Sequence, residues 1–166
     1  MRPDEQIALK WPQVDLVQKK LSIRESRVQG FEGPPKTEAS EREIDMLPMV
    51  EQALLAQREV SVHQSTYVFC SKVNGPLDIC NLRERVWKPT LKAAGLRMRH
   101  FYNTRHTFAS LMLGSGENIG WVARMMGHKD IQMVLKRYHK FIPNLTWRDG
   151  SAFLEKASQW GLVNGS

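Results

Sequence analysis

Hydrophobic and polar positions change period several times along the chain, and each change marks an element. Residues 1–11 place Ile7, Ala8 and Trp11 on one face of a short amphipathic helix, with Pro3, Asp4 and Glu5 suited to its first turn. From Val14 to Val28 the pattern turns strand-like. Leu16, Leu21, Ile23 and Val28 alternate with polar residues, in two pieces joined by a turn. Gly30 to Pro35 is a cluster of breakers and reads as a loop. Ser40 to Met46 reads as a further strand with Ile44 and Met46 inward. Leu47-Pro48 opens a helix to about Arg58, with Val50, Ala53, Leu54 and Gln57 on one face.

Thr66 to Cys70 is a short apolar strand or core segment, and Asn74-Gly75-Pro76 is a turn. Asp78 caps a helix to Trp87 that buries Leu82 and Val86. Pro89 kinks or restarts it, and Ala93-Ala94-Gly95 ends it. The stretch from Arg99 to Tyr138 then carries three helical segments in succession. Their apolar sets are Phe108, Leu111 and Met112, then Ile119, Val122, Ala123 and Met126, then Ile131, Val134, Leu135 and Tyr138. Asn118 caps the second, and Gly127 ends it. A last helix is predicted near Gly150 to Trp160, offering Ala152, Phe153, Ala157 and Trp160 as apolar surface.

With 166 residues and 42% hydrophobic content, the chain is long enough for one domain with its own core. Twenty-four Lys+Arg against 17 Asp+Glu leave a net charge of +7, a balance that permits nucleic-acid binding without demonstrating it. Cys70 and Cys80 have no metal-ligand spacing, so a reduced cytoplasmic protein is the simpler reading, with a disulfide across the short loop left open. His100, His106, His128 and His139 also lack the spacing and company of a metal site. No apolar run is long enough to span a membrane, and no signal peptide precedes the fold. Met1 runs straight into a helical pattern without a cap, so the native chain is expected to begin earlier.

Candidate chemistry concentrates between Arg99 and Tyr138. Arg105 falls in the first turn of its helix, where unpaired N–H groups already favour an anion. His128 projects from the junction after Gly127, and Tyr138 lies one helix further on. An arginine, a histidine and a tyrosine brought together in this way hold a phosphate and attack it. The segments YNTRHTFASLML, WVARMMGHKD and VLKRY resemble the catalytic region of the tyrosine recombinases, the phage integrase family. The family's H-x-x-R box, its G-H pair and its nucleophilic tyrosine match Tyr102 to Arg105, Gly127-His128 and Tyr138, with Tyr102 standing where the box usually has His. RPDEQIALKWPQVD resembles the segment around the first catalytic arginine, matching Arg2, with Glu5 as a structural acidic partner and Trp11 as the following Trp. Lys36, Thr37, Ser40, Arg42 and Ile44 match the pattern that holds the family's catalytic lysine.

The resemblance implies a mainly helical α+β catalytic domain with a small antiparallel sheet at one edge, over residues 1–166 with 144–166 as a C-terminal tail. It implies that core-binding and arm-binding domains stand outside this chain. It further implies site-specific recombination, integration or excision, of double-stranded DNA attachment sites through a 3′-phosphotyrosine. No cofactor, metal or ATP is called for. The expected partners are three further copies in a homotetramer, the tail docked on a neighbour, and accessory DNA-bending proteins, in a DNA-associated prokaryotic setting.

The chemistry explains the residue types. The guanidinium forks of Arg2 and Arg105 match non-bridging phosphate oxygens and stabilise charge that grows in the transition state. Lys36 serves as general acid toward the leaving 5′-oxygen. His128 donates to a non-bridging oxygen. Tyr138, with an ordinary pKa near 10, needs the positive field of Arg2, Arg105 and His128 to become a nucleophile. Tyr102 and Tyr67 are rival nucleophiles on chemistry alone, and chain order favours Tyr138. His106 and His139 flank the key residues and read as supporting or surface groups. A DNA-binding module that keeps the fold without cleaving is the alternative function, and a helical adaptor is a third.

Overall fold

The computed structural model describes residues 1–35, 37, 40–143, 151–160 and 162. Helix α1 (Pro3–Ala8) starts on a proline, whose missing N–H costs nothing there, and buries Ile7 and Ala8. A 3₁₀ turn follows at Trp11–Gln13, so Trp11 leaves the helix expected through residue 11. Strands β1 (Val14–Asp15), β2 (Lys20–Ile23) and β5 (Arg42–Asp45) form an antiparallel sheet in the order β1-β2-β5. Its register sets Leu21 opposite both Val14 and Ile44. Leu21 and Ile23 share one face by the two-residue period and are both buried.

The second strand-like piece does not continue this sheet. Strand β3 (Ser26–Val28) turns back through Gln29-Gly30 onto β4 (Phe31–Gly33) as a separate hairpin. The expected loop at Gly30–Pro35 is therefore half strand. Gln29 and Gly30 both take positive φ, +50° and +88°, which matches the twist of a two-residue hairpin. Val28 and Phe31, paired across it, are exposed. The hairpin is tied to the body by charge. Lys10 Nζ lies 2.5 Å from Glu25 and 3.2 Å from Glu32, and the Tyr67 hydroxyl donates to Glu32 at 2.5 Å.

Helix α2 (Pro48–Ser61) runs three residues past its expected end and buries Leu54. Residues 66–70 make only isolated bridges and serve as a core segment, with Val68 fully buried. Asp78 caps α3 (Ile79–Asn81), its side chain accepting from the Asn81 N–H. A π-helical turn (Leu82–Trp87) comes next, and then α4 (Lys88–Ala93). Pro89 explains the turn. A proline inside a helix lacks its N–H and collides with the carbonyl four residues back, and widening the preceding turn relieves the collision without ending the helix. The same widening changes which residues face inward. Val86, expected in the core, is 53% exposed.

Three helices complete the domain: α5 (Asn103–Gly114), α6 (Ile119–Met126) and α7 (Ile131–Tyr138). The Asn118 side chain accepts from the Trp121 N–H, Asp130 accepts from Gln132, and Gly127 ends α6 at φ +67°. Ala109, Leu113, Val122, Ala123, Met126, Val134 and Tyr138 form their shared core. Leu111 and Ile131 were expected on the inner faces and are exposed, because the buried stripe of α5 runs Arg105, Ala109, Leu113 and that of α7 runs Val134, Tyr138. A second core of Leu9, Leu21, Ile23, Met46, Leu54 and Val68 lies under the sheet.

The two cores meet along α6 and β5. There Asp45 accepts from Trp121 Nε1 at 2.8 Å and from Arg124 at 2.9 Å. Helix α8 (Ser151–Gln159) matches the predicted last helix. Ala157 is buried there, Phe153 and Trp160 are exposed, and the side chain of Ala152 lies outside the described residues. Both cysteines are free thiols. Among the described residues no helix is long and apolar enough to cross a membrane.

Candidate active site

Arg105 occupies the third position of α5 and is 3% exposed. Its Nη2 donates to the Met126 carbonyl at the C-terminal end of α6 and lies 3.4 Å from His128 Nε2. Its Nη1 is buried and has no hydrogen-bond partner among the described residues. An unpaired guanidinium nitrogen out of water is costly, and an incoming phosphate oxygen would satisfy it.

His128 follows Gly127 out of α6 and is half-buried. Burial, then the charges of Arg105, Arg2, Arg42 and Arg137, pull its pKa from 6.5 to about 4. The ring is therefore neutral at pH 7, with Nε2 accepting from Arg105 and the proton on Nδ1. A phosphate anion would reverse this bias and restore a donor.

Arg2 reaches the same place from the other core. Its Nη1 donates to Glu5 at 3.0 Å and to Ser40 Oγ at 2.7 Å. Its backbone N–H donates to Glu5 Oε2 at 2.6 Å, the return half of a capping box. Arg42, expected only as part of a pattern, proves to be the strut beneath this site. Its Nη1 and Nη2 grip Glu5 at 3.0 and 2.9 Å, Nη1 also donates to the Ser40 carbonyl, and Nε donates to the Met125 carbonyl at 3.0 Å. Glu5 thus has the structural role expected of it, with one carboxylate holding Arg2 and Arg42 together.

Gly127 is required by the same strut. A Cβ there would stand 2.9 Å from Arg42 Nη1, on top of the strain of its positive φ. Burial pushes the Glu5 pKa up, but the hydrogen bonds and charge of Arg42 and the Arg2 N–H outweigh it and hold the carboxyl below its ordinary value. Such a group stabilises the fold above its unfolded pKa, and that contribution is lost as pH falls through the depressed folded value. Glu5→Gln should therefore lose about 3–5 kcal/mol at pH 7, the usual cost of stranding a buried charge. The gap to wild type should narrow in acid. Urea melts at neutral and acid pH measure both, and an unchanged midpoint at pH 7 would contradict the strut.

Tyr138 ends α7 and is 4% exposed. Its hydroxyl lies 2.5 Å from His106 Nδ1, and Tyr102, just before α5, packs edge-on against the same imidazole at 5.2 Å. The expected field of Arg2, Arg105 and His128 is replaced by that of Arg137 and Arg105. Burial outweighs both and raises the tyrosine above its ordinary pKa. Of the rival nucleophiles, Tyr67 is committed to Glu32 on the hairpin, and Tyr102 packs on His106. Lys36 lies outside the described residues, three positions after β4.

Arg2, Arg105 and His128 are thus brought together, with Tyr138 joined to them along α5. Sequence reading missed Arg42 and Ser40 as supports, and His106 as the partner of Tyr138. The four-residue spacing of Tyr102 and His106 on one helix was the available signal for the last.

The fold and site define a class: a helical α+β domain that gathers arginine, histidine and tyrosine about the buried Arg105 guanidinium. The phage integrase family model matches residues 1–142, and the chain belongs to that family. It is 30% identical over 169 residues to the prophage integrase IntR of Escherichia coli (strain K12), covering 87% of this chain and 41% of that protein. The chain therefore spans about two fifths of the length of this relative. Among solved structures, the Tn1549 transposon integrase in complex with circular intermediate DNA superposes with a TM-score of 0.72 at 20% identity, covering 94% of this chain and 55% of that one. The XerA recombinase gives 0.65 at 23% identity, covering 96% and 53%. These likenesses establish the fold as that of a tyrosine-recombinase catalytic domain.

Proposed function

We propose that the chain is the catalytic part of a site-specific recombinase that cuts and rejoins double-stranded DNA through a 3′-phosphotyrosine. The observation that carries this reading is the buried Arg105, whose Nη1 has no partner among the described residues, with His128 at 3.4 Å and the Tyr138 hydroxyl bonded to the next residue of the same helix. Arg2 and Arg105 bind the non-bridging oxygens, and His128 donates to one of them. Tyr138 attacks phosphorus, and Lys36 protonates the 5′-oxygen as it leaves. The ester keeps the bond energy, so rejoining needs no ATP. Recombination, as distinct from nicking, pairs two duplexes and four sites. A homotetramer, with the 144–166 tail on a neighbour and accessory DNA-bending proteins, completes the reading.

The test uses negatively supercoiled plasmid DNA and an SDS quench. The 166-residue chain should form a covalent adduct with the 3′-phosphate and leave a 5′-hydroxyl that polynucleotide kinase labels directly. Two arginine forks stand in for the charge a divalent ion supplies in other nucleases. Adduct yield should therefore be unchanged in excess EDTA. Strict dependence on magnesium, or attachment to the 5′-phosphate, would refute the mechanism. DNA binding without any adduct would favour the non-cleaving alternative.

A further inference from the structure

Arg105 and His106 are consecutive on α5, so their side chains leave the helix about 100° apart. Arg105 turns to α6 and His128, and His106 turns to α7 and Tyr138. Tyr138 Oη and His106 Nδ1 are 2.5 Å apart, with ring centroids at 5.9 Å and planes inclined by 46°. The charged and titratable groups facing this imidazole are Tyr102 and Arg105 on its own side, and Arg137 and Tyr138 on α7. Among the described residues no carboxylate joins them.

Burial, then Arg137 and Arg105, lower the His106 pKa below 6.5, while burial raises that of Tyr138. The pair is therefore neutral at pH 7. In the tautomer that carries the imidazole proton on Nε2, the phenol donates and Nδ1 accepts. The positive field alone does not ionise the buried tyrosine, so its proton needs an acceptor within reach.

We infer that His106 is a catalytic residue: its Nδ1 takes the Tyr138 proton as the phenolic oxygen bonds to phosphorus, and returns it when the tyrosine departs. This rests on the recombinase reading above. In cleavage the Tyr138 O–H bond breaks, an N–H bond forms on His106, the Oη–P bond forms and the P–O5′ bond breaks, with the 5′-oxygen protonated by the general acid. In rejoining each change reverses, so no proton is consumed over the cycle. The competing interpretation of the same geometry is a latch, in which His106 holds Tyr138 away from DNA.

Three substitution outcomes separate these ideas. The readout is the single-turnover rate of SDS-trapped adduct formation by the 166-residue chain on supercoiled plasmid, from about pH 5 to pH 8. His106→Ala removes the acceptor. His106→Asn keeps an acceptor oxygen near the Nδ1 position, and so the hydrogen bond, but cannot take a proton in this range. Both should slow the reaction by ~10²–10⁴-fold at neutral pH. Wild type should lose rate as pH falls through the His106 pKa, because the imidazolium no longer accepts, and both variants should lack that limb. Added imidazole should restore part of the Ala variant's rate.

A near-normal rate for His106→Asn would mean that the bond only positions Tyr138, and would overturn the proton-transfer role. Faster cleavage by either variant would establish the latch instead. Unchanged rates in both would remove His106 from the mechanism. A wild-type chain that binds the plasmid yet forms no adduct would overturn the recombinase reading itself, an outcome distinct from the other three.

Discussion

Tyr138→Phe should eliminate the covalent DNA adduct, by about 10⁴-fold or more, while leaving the fold and DNA binding in place. The substitution deletes one oxygen and keeps the ring. Tyr138 shares its core with Val122, Met126 and Val134, and phenylalanine fills the same volume. The stability cost is confined to the hydrogen bond with His106, about 1 kcal/mol. Tyrosine and phenylalanine are both uncharged, so the salt dependence of plasmid retardation should keep its slope. Adduct persisting in the Phe variant, mapped by peptide sequencing to Tyr102 or Tyr67, would transfer the nucleophile to that residue. Loss of folding, read from the thermal midpoint, would show that Tyr138 is needed for packing before chemistry.

The second large effect separates the arginine clamp from the general acid. Arg105→Lys keeps a charge but loses the fork whose Nη2 holds the Met126 carbonyl while Nη1, without a partner among the described residues, stays free for a phosphate oxygen. Adduct formation should fall by ~10²–10³-fold, the cost of removing one donor from developing transition-state charge. Lys36→Ala should cost ~10²–10⁴-fold, the range for a lost general acid. DNA with sulfur at the bridging 5′ position discriminates between them. A thiolate leaves without a proton, so the sulfur substrate should restore most of the Lys36→Ala rate. It should not rescue Arg105→Lys, whose defect lies at the non-bridging oxygens. Equal defects of Lys36→Ala on both substrates would mean that Lys36 only positions DNA.

The contrast between these residues also shows what local sequence carries. Arg105, His128 and Tyr138 could be placed at helix ends from the sequence, His128 and Tyr138 beside written helix signals and Arg105 by the apolar period of α5. Asn118 and Asp130 cap, Gly127 ends a helix in the left-handed region, and the apolar period carries the count between them. Caps and periodicity act over three or four residues, and every chain that folds locally must obey them. The same rules placed β2, β5 and α2 close to their observed bounds.

Where the reading failed, a local rule met a tertiary demand. Breakers at residues 30–35 suggested a loop, but Gln29-Gly30 formed the turn of a hairpin whose far strand is held by Lys10 and Tyr67. A regular period put Val86 inward, and the wide turn before Pro89 rotated it out. Sequence alone thus determined the family, the order of the candidate residues and most helix ends. Only the tertiary structure decided that Arg42 would tie Glu5 to the Met125 carbonyl 83 residues away, and that His106 would meet the Tyr138 hydroxyl across 32 residues. Those contacts join separate elements, and their geometry follows from how two cores pack along α6 and β5, which no local spacing encodes.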